Sequence, residues 1–349
     1  MPRRRRNTVS RIWSSAMNAI DIECPARLHL GFIDPGASSG RRFGSLGLAL
    51  DGLGTHLRVQ RVRTAREAYF AAGERAGAER ERALACLARL RRAFDFDAPL
   101  AIELLDAIPP HAGLGSGTQL ALALGYAVAR LAGRDAAPRR IAQHTERGAR
   151  SGIGIGVFEQ GGFVVDGGRA EQTAVPPIVA RHPFPAAWRV LLVFDAMHAG
   201  LSGEAEASAF RALPPFPARD TERIAALTLM HVLPALAEVD FERFGPAVTE
   251  IQARVGDHFA PAQGGRYASP RVARWLDWFA ARGAACHGQS SWGPTGFVMT
   301  ASAEEARILI EAAKAARAAD DPVRFRIVAG RNAGARIVES RDGAPMHAS

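Results

Sequence analysis

Residues 108–119 read IPPHAGLGSGTQ, and no other stretch restricts the possible folds as much. The apolar run Leu100 to Leu105 precedes it, and Ser116 to Ala132 has helical spacing with Gly133 as a stop, so a strand–loop–helix unit is expected. In such a unit the backbone N–H groups of Gly115, Ser116, Gly117 and Thr118 sit at a helix N-terminus, where unpaired donors and the helix dipole favour an anion. Gly113, Gly115 and Gly117 have no Cβ to hold phosphate oxygens away from the backbone, and Ser116 and Thr118 add hydroxyls. A glycine-rich turn with a serine N-cap accounts for the same residues without any ligand.

Composition removes several chemistries that use such a loop. The only lysine is Lys314, inside the helical-looking EEARILIEAAKAARAA, so the Walker A pattern G-x-x-x-x-G-K-[ST] is absent. The same scarcity argues against Schiff-base and pyridoxal phosphate chemistry, and leaves arginine to supply nearly all positive charge. Cys24, Cys86 and Cys286 are odd in number and widely spaced, which suggests neither a disulfide framework nor a zinc site and implies a reducing cytoplasm. The formal charge of +9 invites a nucleic-acid reading, but Arg3 to Arg6 and Arg11 contribute five of those charges. There is no aromatic-rich RNA-binding segment, and no nucleic-acid partner is expected. The longest apolar stretch, LALALGYAVARLAG, is broken by Gly125, Arg130 and Gly133, so no membrane span is expected either.

Two glycine-rich patterns fail on inspection. Gly152-Ile-Gly-Ile-Gly156 has Val157 where a dinucleotide fingerprint needs its third glycine, and GQSSWG has Trp292 where a nucleophile elbow needs its second. Cys286 and His287 are neighbours on a strand-like stretch, where adjacent side chains point to opposite faces, which argues against a thiol–imidazole pair.

Along the chain, residues 1–18 read as a disordered basic extension, with Met17 a possible initiator, and 341–349 as a frayed tail. Residues 19–180 form a first lobe. It has a strand over 19–34, two strands around Asp51-Gly52 within 45–61, an arginine-rich amphipathic helix over 78–95, and the glycine loop with its helix. A further helix over 138–148 and a strand near Gly162 to Val165 complete it. Pro176, Pro177, Pro183 and Pro185 mark a linker. Residues 186–340 form a second lobe that opens with the apolar run Trp188 to Phe194. Helices near 220–239, 240–255, 269–282 and 303–317 follow, with strands near 296–300, 323–328 and 335–338, an α+β pattern.

Pro109 or Pro110, Gly113, Leu114, Gly115, Ser116 and Gly117 resemble the second motif of the GHMP kinase superfamily, Pro-x-x-x-Gly-Leu-Gly-Ser-[Ser/Gly]. The stretch SGIGIGVFEQGG resembles, in register, the segment in which mevalonate-kinase-like members carry a catalytic aspartate, and Gly154 holds that place here. Three more segments, PARLHLGFID at 25–34, FGSLGLAL at 43–50 and GQSSWGPTG at 288–296, are similar to the β-ribofuranosylaminobenzene 5'-phosphate synthase family, a non-kinase branch of that superfamily. The resemblance covers roughly residues 19–340. It implies a two-lobed fold with a left-handed βαβ first domain and a ferredoxin-like second domain.

The resemblance further implies a pentosyltransferase of tetrahydromethanopterin biosynthesis and one-carbon metabolism. Such an enzyme joins phosphoribosyl pyrophosphate to 4-aminobenzoate, releasing carbon dioxide and pyrophosphate. Gly113, Gly115, Ser116, Gly117, Thr118 and Gln119 are then assigned to the diphosphate, with magnesium neutralising its charge and no organic cofactor. Arg27, His29, Arg150, Gln289, Ser290 and Ser291 are candidates for either the 5'-phosphate or the benzoate carboxylate, and Ser45 and Thr295 are further substrate-binding candidates. Asp34 and Asp195 are candidates to stabilise an oxocarbenium-like centre or hold magnesium, and each equally suits a turn cap; His198 is a further catalytic candidate. Members of the family the chain resembles often dimerise, and the resemblance leaves open whether this chain forms a homodimer. The competing reading is a small-molecule kinase whose carboxylate comes from Glu159 or Asp166.

Overall fold

The computed structural model describes residues 18–62, 68–71, 76–198, 200 and 203–340; the expectations for the basic extension up to residue 17 and for the 341–349 tail lie outside the described residues. In the first lobe the chain forms β1 (Ala19–Asp34), β2 (Phe43–Arg61), β3 (Ala68–Ala71), α1 (Ala76–Phe94), β4 (Leu100–Asp106) and α2 (Ser116–Leu131). It continues with α3 (Pro138–His144), α4 (Ile153–Gln160), β5 (Phe163–Asp166) and β6 (Ile178–His182). The second lobe has β7 (Arg189–Asp195), α5 (Gly203–Ala212), α6 (Ala218–Leu227), a π-helical turn over Thr228–Val232, α7 (Leu233–Glu238), α8 (Phe241–Gln263) and α9 (Pro270–Ala280). After these come β8 (Cys286–Gln289), β9 (Gly296–Thr300), α10 (Ala303–Ala316), β10 (Val323–Val328) and β11 (Arg336–Ser340).

β1 is the spine, because its alternating apolar residues serve two cores. Ile20, Ile22 and Cys24 pack with Leu57, Val59, Leu87, Leu90 and the apolar face of α2. Beyond the register shift at Pro25/Ala26, Ala26, Leu28, Leu30 and Phe32 belong to a larger core shared with α8 and the second sheet. Arg27 and His29 are thereby carried into the junction of the lobes. The expected hairpin at Asp51-Gly52 is instead a bulge inside one long β2. Ala26 pairs with Leu50 while Pro25 pairs with Gly54, and Asp51 N donates to Ala329 O at 2.8 Å.

The seven-stranded sheet runs β11-β1-β2-β4-β3, with β5 and β6 branching from β2. Two sequence expectations change here. The proline-marked linker contains β6, which pairs antiparallel with β5, and the last expected strand of the second lobe, β11, returns to pair with β1. Short elements that the sequence pattern did not announce are β3, α4 and α5.

The second sheet is antiparallel in the order β10-β7-β9-β8, the 4-1-3-2 arrangement of a ferredoxin-like domain. Leu191, Val193 and Val298 on one face meet Trp275, Leu276, Phe279 and Ile310 from α9 and α10. On the other face Val190, Leu192 and Phe297 meet Phe244, Val248 and Ile251 of α8. The fold is thus the expected two-lobed α+β arrangement. Among the described residues, no helix is long and apolar enough to cross a membrane.

A charged clamp joins α6 to α8. Glu250 accepts Arg223 Nε and Nη2 at 2.8 and 2.7 Å and Arg254 Nη2 at 2.8 Å, while Arg254 Nη1 reaches Asp220 at 2.5 Å. The Arg223 hydrogen bonds, joined by Arg254 and opposed by burial, pull the Glu250 carboxyl down to about 2. A depressed folded pKa means stability that is present above the ordinary value of 4.5 and lost as pH falls from there towards 2. The clamp sits at the surface with its side chains partly exposed, so Glu250→Gln is expected to lower stability at pH 7 by no more than about 1 kcal/mol. Urea melts should show that difference closing as pH falls through this window.

Candidate functional site

The glycine loop is seated by residues from three distant segments. Ile108 and Leu114 are buried anchors at its two ends. Arg27 N donates to Leu114 O at 3.0 Å and Arg27 Nη1 to Gly113 O at 2.5 Å; Ser290 Oγ also donates to Gly113 O, at 2.7 Å. Ser290 Oγ in turn accepts His29 N at 3.0 Å, Ser291 N donates to His29 O at 3.1 Å, and Ser290 N donates to Thr295 O at 2.9 Å. Arg27, His29, Ser290, Ser291, Thr295 and Gly113 therefore converge on one another.

The contact is tight enough to require glycine. Gly113 has φ +74°, and a methyl group there would lie 2.2 Å from the Ser290 carbonyl oxygen. His111 and Ser291, each beside the contact, hold the left-handed conformation at φ 56° and 57°, stored strain of the kind concentrated at functional sites.

At the head of α2 the cap residue is Gly115, at φ 87° and without a side-chain cap, so Ser116 is the first helical residue and not an N-cap. The Thr118 amide is committed to Gly115 O at 3.1 Å, which leaves the Ser116 and Gly117 amides as the forward-facing donors. A methyl at Gly117 would stand 2.8 Å from Arg82 Nη2 and 3.4 Å from Arg147 Nη1. These two guanidiniums were not among the sequence candidates. The available signal was indirect: with lysine nearly absent, arginines on the helix beside the loop were the remaining cations.

Other candidates take structural posts. Gln119 is fully buried and its Nε2 donates to Gly154 O at 2.8 Å, tying α2 to α4 behind the loop. Asp34 accepts Ser39 N and Oγ, both at 2.7 Å, Ser38 N at 3.1 Å and Thr221 Oγ1 at 3.2 Å. Asp195 accepts Ser269 Oγ at 2.7 Å and Met197 N at 2.9 Å, with Arg271 Nη1 at 3.4 Å. Burial raises both carboxyls, but these hydrogen bonds outweigh it and hold each below the usual range. Both aspartates brace turns, the second of the two roles weighed for them. Ser45 is buried opposite Asp166 in the β2–β5 register.

His198 and Asp195 line, with Pro109, His111, Thr295 and Arg324, a separate cleft of about 480 Å³ on the other side of the loop. Arg150 lies over the Phe210 ring, 4.8 Å from its centroid. His29 is buried, and burial first, then Arg27 and Arg150, push its pKa well down, so the ring is neutral. Gln289 Oε1 accepts Ala268 N at 2.6 Å and its Nε2 donates to Ser291 O at 3.0 Å, which fixes the block that carries Ser290.

Residues 81–162 match the model of the GHMP kinases N terminal domain and residues 232–319 that of the GHMP kinases C terminal domain. A β-ribofuranosylphenol 5'-phosphate synthase of Methanothermobacter thermautotrophicus is 31% identical over 342 residues, spanning 91% of this chain and 98% of its own. The chain belongs to the β-ribofuranosylphenol 5'-phosphate synthase family of the GHMP kinase superfamily. A second synthase of this family, from Archaeoglobus fulgidus, is 34% identical over 293 residues, 80% of this chain and 88% of its own. Among solved structures, mevalonate diphosphate decarboxylase from Enterococcus faecalis superposes with a TM-score of 0.64 at 16% identity, covering 93% of this chain and 100% of that one. Homoserine kinase from Cytophaga hutchinsonii gives 0.59 at 18% identity, over 92% and 98%. These last two likenesses are of fold.

In this synthase family member the position that resembles the kinases' aspartate is a glycine crowded by Thr118. A methyl at Gly154 would approach Thr118 Cγ2 to 2.8 Å. Neither alternative carboxylate replaces it. Asp166 is buried and committed to Gly152 N at 2.8 Å and Gly168 N at 2.9 Å, and Glu159 sits near the far end of α4. Because Gly113 combines positive φ with the 2.2 Å approach, Gly113→Ala is expected to cost at least about 2 kcal/mol in a denaturant melt and to unseat the loop.

Proposed function

We propose that this enzyme is a phosphoribosyltransferase that condenses phosphoribosyl pyrophosphate with 4-aminobenzoate, releasing carbon dioxide and pyrophosphate, in tetrahydromethanopterin biosynthesis. The observation that carries this reading is the pairing of a glycine-rich loop at the head of α2 with a glycine, and so no carboxylate, at position 154. A loop that grips phosphate without a base beside it suits a reaction in which phosphate leaves as a diphosphate. The names of the relatives support a ribofuranosyl product carrying a 5'-phosphate.

The diphosphate fits the Ser116 and Gly117 amides, with Arg82 and Arg147 as its cationic wall. As the bond from the anomeric carbon to the diphosphate breaks, its electron pair leaves with the diphosphate oxygen. The acceptor's ring carbon supplies the new carbon–carbon bond, and the ring-to-carboxylate bond then breaks, returning its pair to the ring as carbon dioxide departs. No external proton donor is needed for that balance. Among the described residues, no three His, Cys, Asp or Glu side chains converge as a metal cage. The magnesium of this reading would arrive with the diphosphate, since magnesium is commonly held by one or two carboxylates together with substrate phosphates and waters.

The test is an incubation with carboxyl-labelled 4-aminobenzoate, with labelled 4-hydroxybenzoate in parallel because the relatives are named for a phenol product. Labelled carbon dioxide is expected only when phosphoribosyl pyrophosphate is present; ATP turnover with an alcohol and silence in those tubes would sink the reading. Arg147→Ala should raise KM for phosphoribosyl pyrophosphate about tenfold to a hundredfold, the worth of a charge-assisted hydrogen bond of roughly 1.5–3 kcal/mol.

A further inference from the structure

On the side of the glycine loop away from the Ser116 and Gly117 amides the two lobes enclose the cleft of about 480 Å³, and neither Arg82 nor Arg147 lines it. The first lobe supplies Leu53, from the bulge of β2, together with Pro109 and Pro110 of the loop. The second supplies the end of β7, the turn between β8 and β9, and β10. Small-molecule sites favour such junctions and commonly enclose roughly 300–1,000 Å³. A closed cavity of about 150 Å³ already takes benzene, so this cleft has room for a ring and a head group.

The rim of the cleft is cationic. β10 is an edge strand of the second sheet, and Phe325 and Ile327 pack on the core under α9 and α10. Arg324 and Arg326 therefore share the opposite face, about 7 Å apart along the strand, and both are exposed. Arg326 gives one N–H to Gly52 O, and Arg324 has no hydrogen bond or ion pair among the described residues. The one carboxylate of the lining, Asp195, has a fully buried side chain engaged by Ser269 Oγ, Met197 N and Arg271. Leu53, Pro109, Phe194 and Pro294 make an apolar wall. Thr295 is buried beside them, with a hydroxyl that has no partner among the described residues.

We propose that this cleft is a second ligand site, for an organic acid with a ring-sized apolar body against Leu53, Pro109, Phe194 and Pro294 and one oxyanion, carboxylate or phosphate, on Arg324 and Arg326. It is additional to the site at the head of α2 and does not rest on the phosphoribosyl-transfer reading. An uncharged ring would gain the apolar contact alone. An inorganic anion would gain the arginines alone, and exposed charges in water hold an ion weakly. A molecule that carries both parts gains both, and planar guanidinium forks match the oxygens of either head group.

Phenyl phosphate and benzoate serve as probes, with phenol and benzamide as their uncharged counterparts, in calorimetric titrations of the full chain. At least one anion should bind about tenfold or more tightly than its counterpart, and the larger ratio identifies the head group. Arg324→Gln combined with Arg326→Gln should erase that ratio. Ala196→Trp, which fills the cleft and removes no charge, should weaken the same anion about tenfold. Thermal midpoints check folding, and if the double variant does not fold, Arg324→Gln alone and Ala196→Trp decide. Equal binding of charged and uncharged probes, or a ratio that survives these variants in folded protein, overturns the proposal. Where the enzyme turns over phosphoribosyl pyrophosphate, KM for that substrate should stay within about twofold in each variant; a tenfold rise would make the cleft part of the substrate site and overturn its being a second one.

Discussion

Everything at the site depends on one close backbone approach, that of Gly113 to the Ser290–Gly293 turn. The Gly113 carbonyl takes a hydroxyl from Ser290, in the turn between β8 and β9, and a guanidinium N–H from Arg27 of β1. Three segments meet at one oxygen, and the junction between the two lobes is fixed there. Only a residue without a Cβ, at positive φ, can occupy that point. The loop downstream is then held in the orientation that points the Ser116 and Gly117 amides outward, so binding capacity follows from a packing constraint on the opposite side of the loop.

Charge is distributed to match. The cations near the loop are arginines with planar, fixed donor forks, suited to the oxygens of phosphate. The nearby carboxylates are engaged in bracing: Asp34 ties a turn to α6, Asp195 ties β7 to the cap of α9, and Asp166 ties α4 to the strand that follows it. Closer to the loop, Glu79 is buried and holds Arg82 Nη1 at 2.8 Å, so it too is tied to a partner.

Much of the architecture was legible because long apolar periodicities are local. β1, α1, α2, α8, α9 and α10 have strong alternation or helical spacing, and their caps are written in the sequence, as with Ser269 and Ser302 accepting from the third residue beyond. The shorter elements were not. β6 sits among prolines and is a strand only because β5 offers it a partner. α4 carries Gly154 and Gly156 inside a helix against their propensity, since Thr118 and Ile178 press on those positions and leave space for nothing larger.

The site divides in the same way. Residue order alone carried a glycine-rich loop at a helix start, an arginine-based charge supply and, through the family resemblance, a glycine where the kinases have an aspartate, because these reside in backbone preference, composition and a single position. Folding decided which side chains meet that loop. Ser290 lies 177 residues from Gly113, and Arg82 and Arg147 reach Gly117 from a helix and a turn on either side. Packing likewise turned Asp34, Asp195 and Gln119 into braces. Those outcomes depend on contacts between segments far apart in the chain, whose geometry no local pattern of residues contains.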